Sequence, residues 1–145
     1  MNLKIFVSII FLVLAFLSFE IYRALYPFEE FYVEEWCSNT DLPFPKSSNI
    51  IWKTATYPDQ HGDYTSTAII KLPALEFIKL KTAIHNSIIL TSDSLYNGYK
   101  GIFNQYLPNE LQKKPPFKDY HFSSIKAFFK IGFNESNNTI VFQRH

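Results

Sequence analysis

The sequence predicts an α+β protein: an N-terminal transmembrane helix, then a small, mostly antiparallel four-stranded sheet with helices packed on one face. Three observations carry this expectation. Residues 5–19, IFVSIIFLVLAFLSF, run fifteen positions without a charge, a Pro or a Gly. Downstream, short β-branched and aromatic runs come in pairs divided by turn residues, at 49–72 and at 124–144. Between those pairs lie stretches whose apolar residues recur at helical spacing. The chain is accordingly divided into a signal-anchor helix at 1–26, a juxtamembrane helix and linker at 27–48, and an extracytoplasmic α+β domain at 49–145.

Composition bounds the rest. Of 145 residues, those beyond the apolar segment suffice for one compact domain and are too few for two. Aromatic residues reach 18% and charged residues only 19%, so the chain has ample core material and is not a disordered tail. The net charge of +1 favours neither nucleic acid nor a strongly acidic partner. One cysteine, Cys37, excludes an internal disulfide, and an idle or buried thiol is its simplest reading.

The apolar run is short for a membrane span, which needs about 20 residues. Helix propensity continues through Tyr22 and Tyr26 to the first breaker, Pro27. A helix over 3–22 would be about 30 Å long. No small-x-small pair between Ala15 and Ala24 offers a signal-peptidase site, so an uncleaved anchor is preferred to a cleaved signal peptide or a buried core helix. Lys4 stands on the short side, whereas Glu20, Arg23, Glu29, Glu30, Glu34 and Glu35 form a net acidic run on the far side. The positive-inside rule then puts the N-terminus in the cytoplasm and the domain outside, on an inner or plasma membrane. Residues 3–26 would meet the bilayer, with Lys4, Tyr22, Arg23, Tyr26 and Trp36 at its interfaces. For Phe28, Phe31, Tyr32 and Trp36 a second reading stands beside this one: they form the buried face of the domain's first helix.

Pro27 and the acidic pair Glu29–Glu30 suit the first turn of a helix over 28–36. Residues 38–48, with two prolines and several capping residues, read as a linker. Residues 49–56 and 63–72 read as two strands of a hairpin, joined through the turn-rich YPDQHG at 57–62. Pro73 opens a helix to about Ser87, with Phe77, Leu80 and Ile84 on one face. Residues 88–90 are apolar and of undecided type. Thr91, Ser92 and Asp93 read as caps of a further helix to about Tyr106, weakened by Gly98 and Gly101. A polar loop at 108–116 follows, then strands at 124–133 and 139–144 around the turn NESNN.

No catalytic signature is present. The densest polar group is Asp59, His61 and Asp63, whose alternate spacing would suit a divalent metal and supports the rival reading of a small hydrolase or metal enzyme. The plainer reading is a recognition loop, with Tyr57, Asp59, His61, Asp63 and Tyr64 as its contact residues. The four glutamates of 29–35 read as a solvated helix face. Lys113, Lys114 and Lys118, with Phe117 and Tyr120, form a basic–aromatic stretch suited to lipid headgroups. Neither a cofactor nor nucleic acid is indicated. The expectation is a single-pass periplasmic interaction domain with a protein partner at or outside the membrane: an immunity or inhibitor protein, or an accessory subunit of a membrane complex.

Overall fold

The computed structural model describes residues 3–56, 63–92, 108–109, 117–123 and 129–144. Among these, three helices and one antiparallel sheet form an α+β protein.

Helix α1 spans Leu3–Leu25. Its segment Lys4–Arg23, 20 residues, is apolar enough to cross a membrane, and no part of it is buried by the rest of the protein. Twenty residues at 1.5 Å each give about 30 Å, the thickness of a bilayer's hydrocarbon core. Its two serine hydroxyls are satisfied inside the helix: Ser8 donates to the Lys4 carbonyl at 2.9 Å and Ser18 to the Leu14 carbonyl at 2.8 Å. That arrangement leaves little polar demand on the surroundings.

The helix stops where the sequence says it must. Tyr26 makes the last amide bond, to the Tyr22 carbonyl at 2.8 Å, and Pro27 has no N–H to continue. Phe28 is extended (φ −71°, ψ 173°), and α2 begins at once, spanning Glu29–Thr40. It ends on Asp41 in the left-handed region (φ 55°), whose N–H bonds the Cys37 carbonyl at 3.2 Å. Asp tolerates that conformation better than most residues. Thr40 closes the turn, donating to the Trp36 carbonyl at 2.8 Å and accepting from the Leu42 N–H at 3.1 Å. The expected linker therefore starts later, because Ser38, Asn39 and Thr40 belong to the helix.

The sheet has six strands where four were expected: β1 (Asn49–Ala55), β2 (Ser66–Lys71), β3 (Leu90–Ser92), β4 (Lys118–Ser123), β5 (Phe129–Asn134) and β6 (Thr139–Arg144). Their order is β1-β2-β6-β5-β4-β3, with every pairing antiparallel. Both expected hairpins form, β1–β2 and β5–β6. The two additional strands are those with the weakest sequence pattern. β3 is three residues long, too short for a period to register, and it absorbs Thr91 and Ser92, which were read as helix caps. β4, KDYHFS, carries a Lys, an Asp and a His, and its partner strands decide its state. Of the strand expected at 124–133, residues 124–128 lie outside the described residues, and the remainder forms β5. The rest of the helix expected to about Tyr106, and most of the loop at 108–116, lie outside the described residues.

The last strand in sequence sits inside the sheet. β6 runs between β2 and β5, pairing Ile70 with Ile140 and Ile131 with Phe142. This pairing brings residues 66–71 beside 139–144. The turn before β6 uses Asn138 in the left-handed region (φ 52°) and an Asn134 side chain that accepts the Ser136 N–H at 3.1 Å.

Both helices after Pro27 cover one face. Tyr32 and Trp36 of α2, with Phe77 and Ile84 of helix α3 (Ala74–His85), join Ala68, Ile70, Phe129, Ile131, Phe133, Ile140 and Phe142 in one core. Rings meet edge-on, Trp36 with Phe142 at 5.3 Å and Phe77 with Phe133 at 6.2 Å. Such contacts add roughly 0.5–1.5 kcal/mol beyond the buried area. On the opposite face Ile69 and Val141 are buried with Phe117, and Trp52 packs against them.

Candidate functional site

The residues that gather chemistry lie where α2 meets the loop end of the β1–β2 hairpin. On α2 the buried positions are Tyr32, Glu35, Trp36, Asn39 and Thr40, a stripe with the 3–4 spacing of one helix face. Glu35 falls within that stripe and is only 7% exposed. It was expected on a solvated face with its neighbouring glutamates. Its place between Tyr32 and Trp36 was the available clue.

A buried carboxylate needs partners. Two arrive from distant parts of the chain. The Tyr64 hydroxyl, two residues before β2, donates to Glu35 Oε1 at 2.7 Å. The Arg144 guanidinium, at the end of β6, donates to the same oxygen at 2.9 Å and also to the Tyr64 hydroxyl. Its Cζ lies 4.4 Å from the Tyr64 ring centre, a cation–π contact. Glu35 Oε2 is buried and has no hydrogen-bond partner among the described residues. The three side chains therefore fasten α2, the start of β2 and the end of β6 together, and Phe31 flanks Tyr64 at 5.5 Å.

This network sets the chemistry available. Burial, followed by the hydrogen bond and negative charge of Glu35, pushes the Tyr64 phenol up to about 12. Burial alone pushes Tyr32 to about 12. A phenol so held stays protonated near neutrality and supplies a hydrogen-bond donor, not a base. A stability effect follows. The folded chain keeps the Tyr64 proton between pH 10 and 12, where the unfolded chain releases it. The resulting stabilisation is complete below pH 10 and is lost as pH rises toward 12. Denaturant midpoints measured across this interval should fall less steeply for Tyr64→Phe than for the parent. Equal slopes would mean that the phenol is not protected in the folded state.

In front of Tyr64 opens a cleft of about 590 Å³, within the range of small-ligand sites. One wall is the end of α1, with Phe19, Glu20 and Arg23. A second is the beginning of α2, with Phe28, Glu30, Phe31 and Glu34. Ala55, Thr56 and Tyr64 close it from the hairpin, whose pairing extends past the strands through Thr56 N–H to Thr65 O at 2.8 Å. Arg23 reaches from the first wall toward the second, 3.6 Å from Glu20 and about equally far from the Phe19 and Phe28 ring centres, 5.9 and 5.8 Å.

The residues singled out in the sequence fall in several places. Tyr57, Asp59 and His61 lie outside the described residues. Asp63 is exposed, and Tyr64 belongs to the network above. Among the described residues no three His, Cys, Asp or Glu side chains converge as metal ligands. Lys4, Tyr22, Arg23 and Tyr26 are exposed on α1 or just past its end, with the Tyr22 and Tyr26 rings 5.3 Å apart. Trp36, expected at the membrane interface, is fully buried against Phe142 and Phe44. Its position matches the alternative reading of this helix, because the α2 stripe faces the sheet. Cys37, one residue on, turns outward and is exposed rather than buried.

Sequence reasoning missed Glu35 and Arg144 as partners. They are separated by 109 positions, and only the placement of β6 beside β2 brings them together. No family model, curated protein or solved structure matches the chain.

Proposed function

We propose that this protein is a single-pass, membrane-anchored binding domain, with its N-terminus in the cytoplasm and its α+β domain on the extracytoplasmic side. The observation that carries the reading is the contrast between α1 and α2. Every described side chain of Lys4–Arg23 is exposed and none is buried in the protein, while α2, starting only a few residues later, sends Tyr32 and Trp36 into the core. An apolar helix that its own domain does not cover calls for an apolar solvent, and a bilayer supplies one. The short, proline-fixed joint then holds the domain against the membrane surface rather than on a long leash.

The partner in this reading is another protein at or beyond the bilayer, met through the loop end that carries Tyr57, Asp59, His61, Asp63 and Tyr64. An inhibitor or immunity protein and an accessory subunit both suit such a domain. Tyr64 supports a role in recognition because its ring is held in place by Glu35 and Arg144, so a contact surface built on it is rigid.

Two measurements on the full chain test this. Alkaline phosphatase fused after His145 should be active, and an inactive fusion would reverse the orientation. A photo-reactive residue at the exposed position Asp63 should cross-link to a discrete protein in intact membranes. Illumination that yields no protein adduct would remove this surface from the proposal.

A further inference from the structure

We infer that the cleft between α1 and α2 holds a lipid headgroup that carries a primary ammonium, its phosphate on Arg23 and its ammonium between Glu30 and Glu34. The inference rests on α1 crossing the bilayer. It adds what the domain grips there.

Depth is the first reason. The uncharged run ends at Phe19, and Phe19 and Glu20 form one wall of the cleft. If α1 fills the hydrocarbon, the cleft opens at the level of the headgroups.

Charge is the second. Three carboxylates and one guanidinium line the cleft. Glu20 is matched with Arg23 at 3.6 Å. Glu30 and Glu34 stand one helical turn apart on α2, both exposed, and among the described residues neither has an ion-pair partner. Two unmatched negative charges beside one matched positive charge suit a zwitterion with an outer cation and repel an anionic headgroup.

The walls are the third. Phe28, Phe31 and Tyr64 present rings to the same space. Arg23 already rests beside two rings of the cleft, within 6 Å of each. Aromatic faces flanked by carboxylates are the surroundings in which ammonium groups are held. A basic side chain of another membrane protein has the same chemistry. Lys and Arg are sparse next to membrane helices on the extracytoplasmic side, however, whereas lipid headgroups are always at this depth. Capture of one would fix the tilt of the domain on the membrane.

The test uses the full chain in detergent with phosphatidylethanolamine and phosphatidylglycerol in equal amounts, read by native mass spectrometry. Adducts of the ethanolamine lipid are expected to exceed those of the glycerol lipid several-fold. In the double variant Glu30→Gln/Glu34→Gln the ratio should fall to about one, and Arg23→Gln should weaken both adducts together. All three positions are exposed, and circular dichroism will confirm that the variants keep the parent fold. Equal binding of the two lipids, or a preference that survives the double variant, overturns the proposal. Binding of an oligolysine peptide without any lipid preference overturns it also, and reassigns the cleft to a basic protein segment. Alkaline extraction of cell membranes that carry the full chain separates this failure from the other. A chain that stays in the membrane and shows no lipid preference removes only the headgroup, whereas a chain released by alkali removes the anchor itself.

Discussion

Trp36→Ala should destabilise the domain by about 3–5 kcal/mol, the cost of emptying a fully buried aromatic site. Trp36 is 0% exposed and touches Phe142 on the central strand and Phe44 after α2. Removing the indole would leave a cavity between the Phe44 and Phe142 rings that pack edge-on against it. Trp36→Phe should cost much less. It keeps the ring contacts and removes a buried indole N–H that has no hydrogen-bond partner among the described residues. Denaturant unfolding of the full chain, followed by far-ultraviolet circular dichroism, provides the measurement. The outcome also separates the two readings of this residue. A tryptophan at the membrane interface would change the depth of insertion and leave domain stability within about 0.5 kcal/mol.

The second large effect concerns α1. Placing arginines at Leu12 and Leu14, near the middle of the apolar helix, should raise the free energy of insertion by roughly 5–7 kcal/mol, at about 2.5–3.5 kcal/mol each. The double variant Leu12→Arg/Leu14→Arg is therefore expected to disappear from the alkali-resistant membrane fraction, where the parent chain should be found. Because both positions are exposed and no part of the span is buried, the variant's domain should unfold at an unchanged denaturant midpoint. A helix that served instead as a soluble core element would give the opposite pair of results, with fractionation unmoved and stability lost. The intact mass of the membrane-bound parent distinguishes anchor from signal peptide, since only an uncleaved chain retains residues 1–26.

Much of the architecture was legible because it rests on local rules. Pro27 ends α1 by lacking an N–H, and Pro73 precedes α3 as the capping residue. The hairpins β1–β2 and β5–β6 announce themselves by alternating runs around turn residues. In the candidate site, Tyr64 was legible as a member of a turn-rich loop with polar and aromatic residues. Strands β3 and β4 were not. Three residues cannot display a period, and KDYHFS becomes a strand through pairing with β5 on one side and β3 on the other. Strand state there is a property of the neighbours. Glu35 was misplaced for a related reason. A glutamate among glutamates suggests solvent, and burial becomes tolerable only when Arg144 and Tyr64 are at hand.

The sequence by itself determined that an apolar helix of membrane length opens the chain, that an α+β domain follows, and where its main elements break. These depend on contiguous residues, whose hydrophobicity and backbone freedom act without reference to the rest of the molecule. Only the tertiary structure decided that α1 is left uncovered while α2 is drawn into the core, that β6 enters the sheet between β2 and β5, and that Glu35, Tyr64 and Arg144 meet beside a cleft at the end of α1. Those outcomes depend on which distant surfaces find one another, and no window along the chain contains both partners.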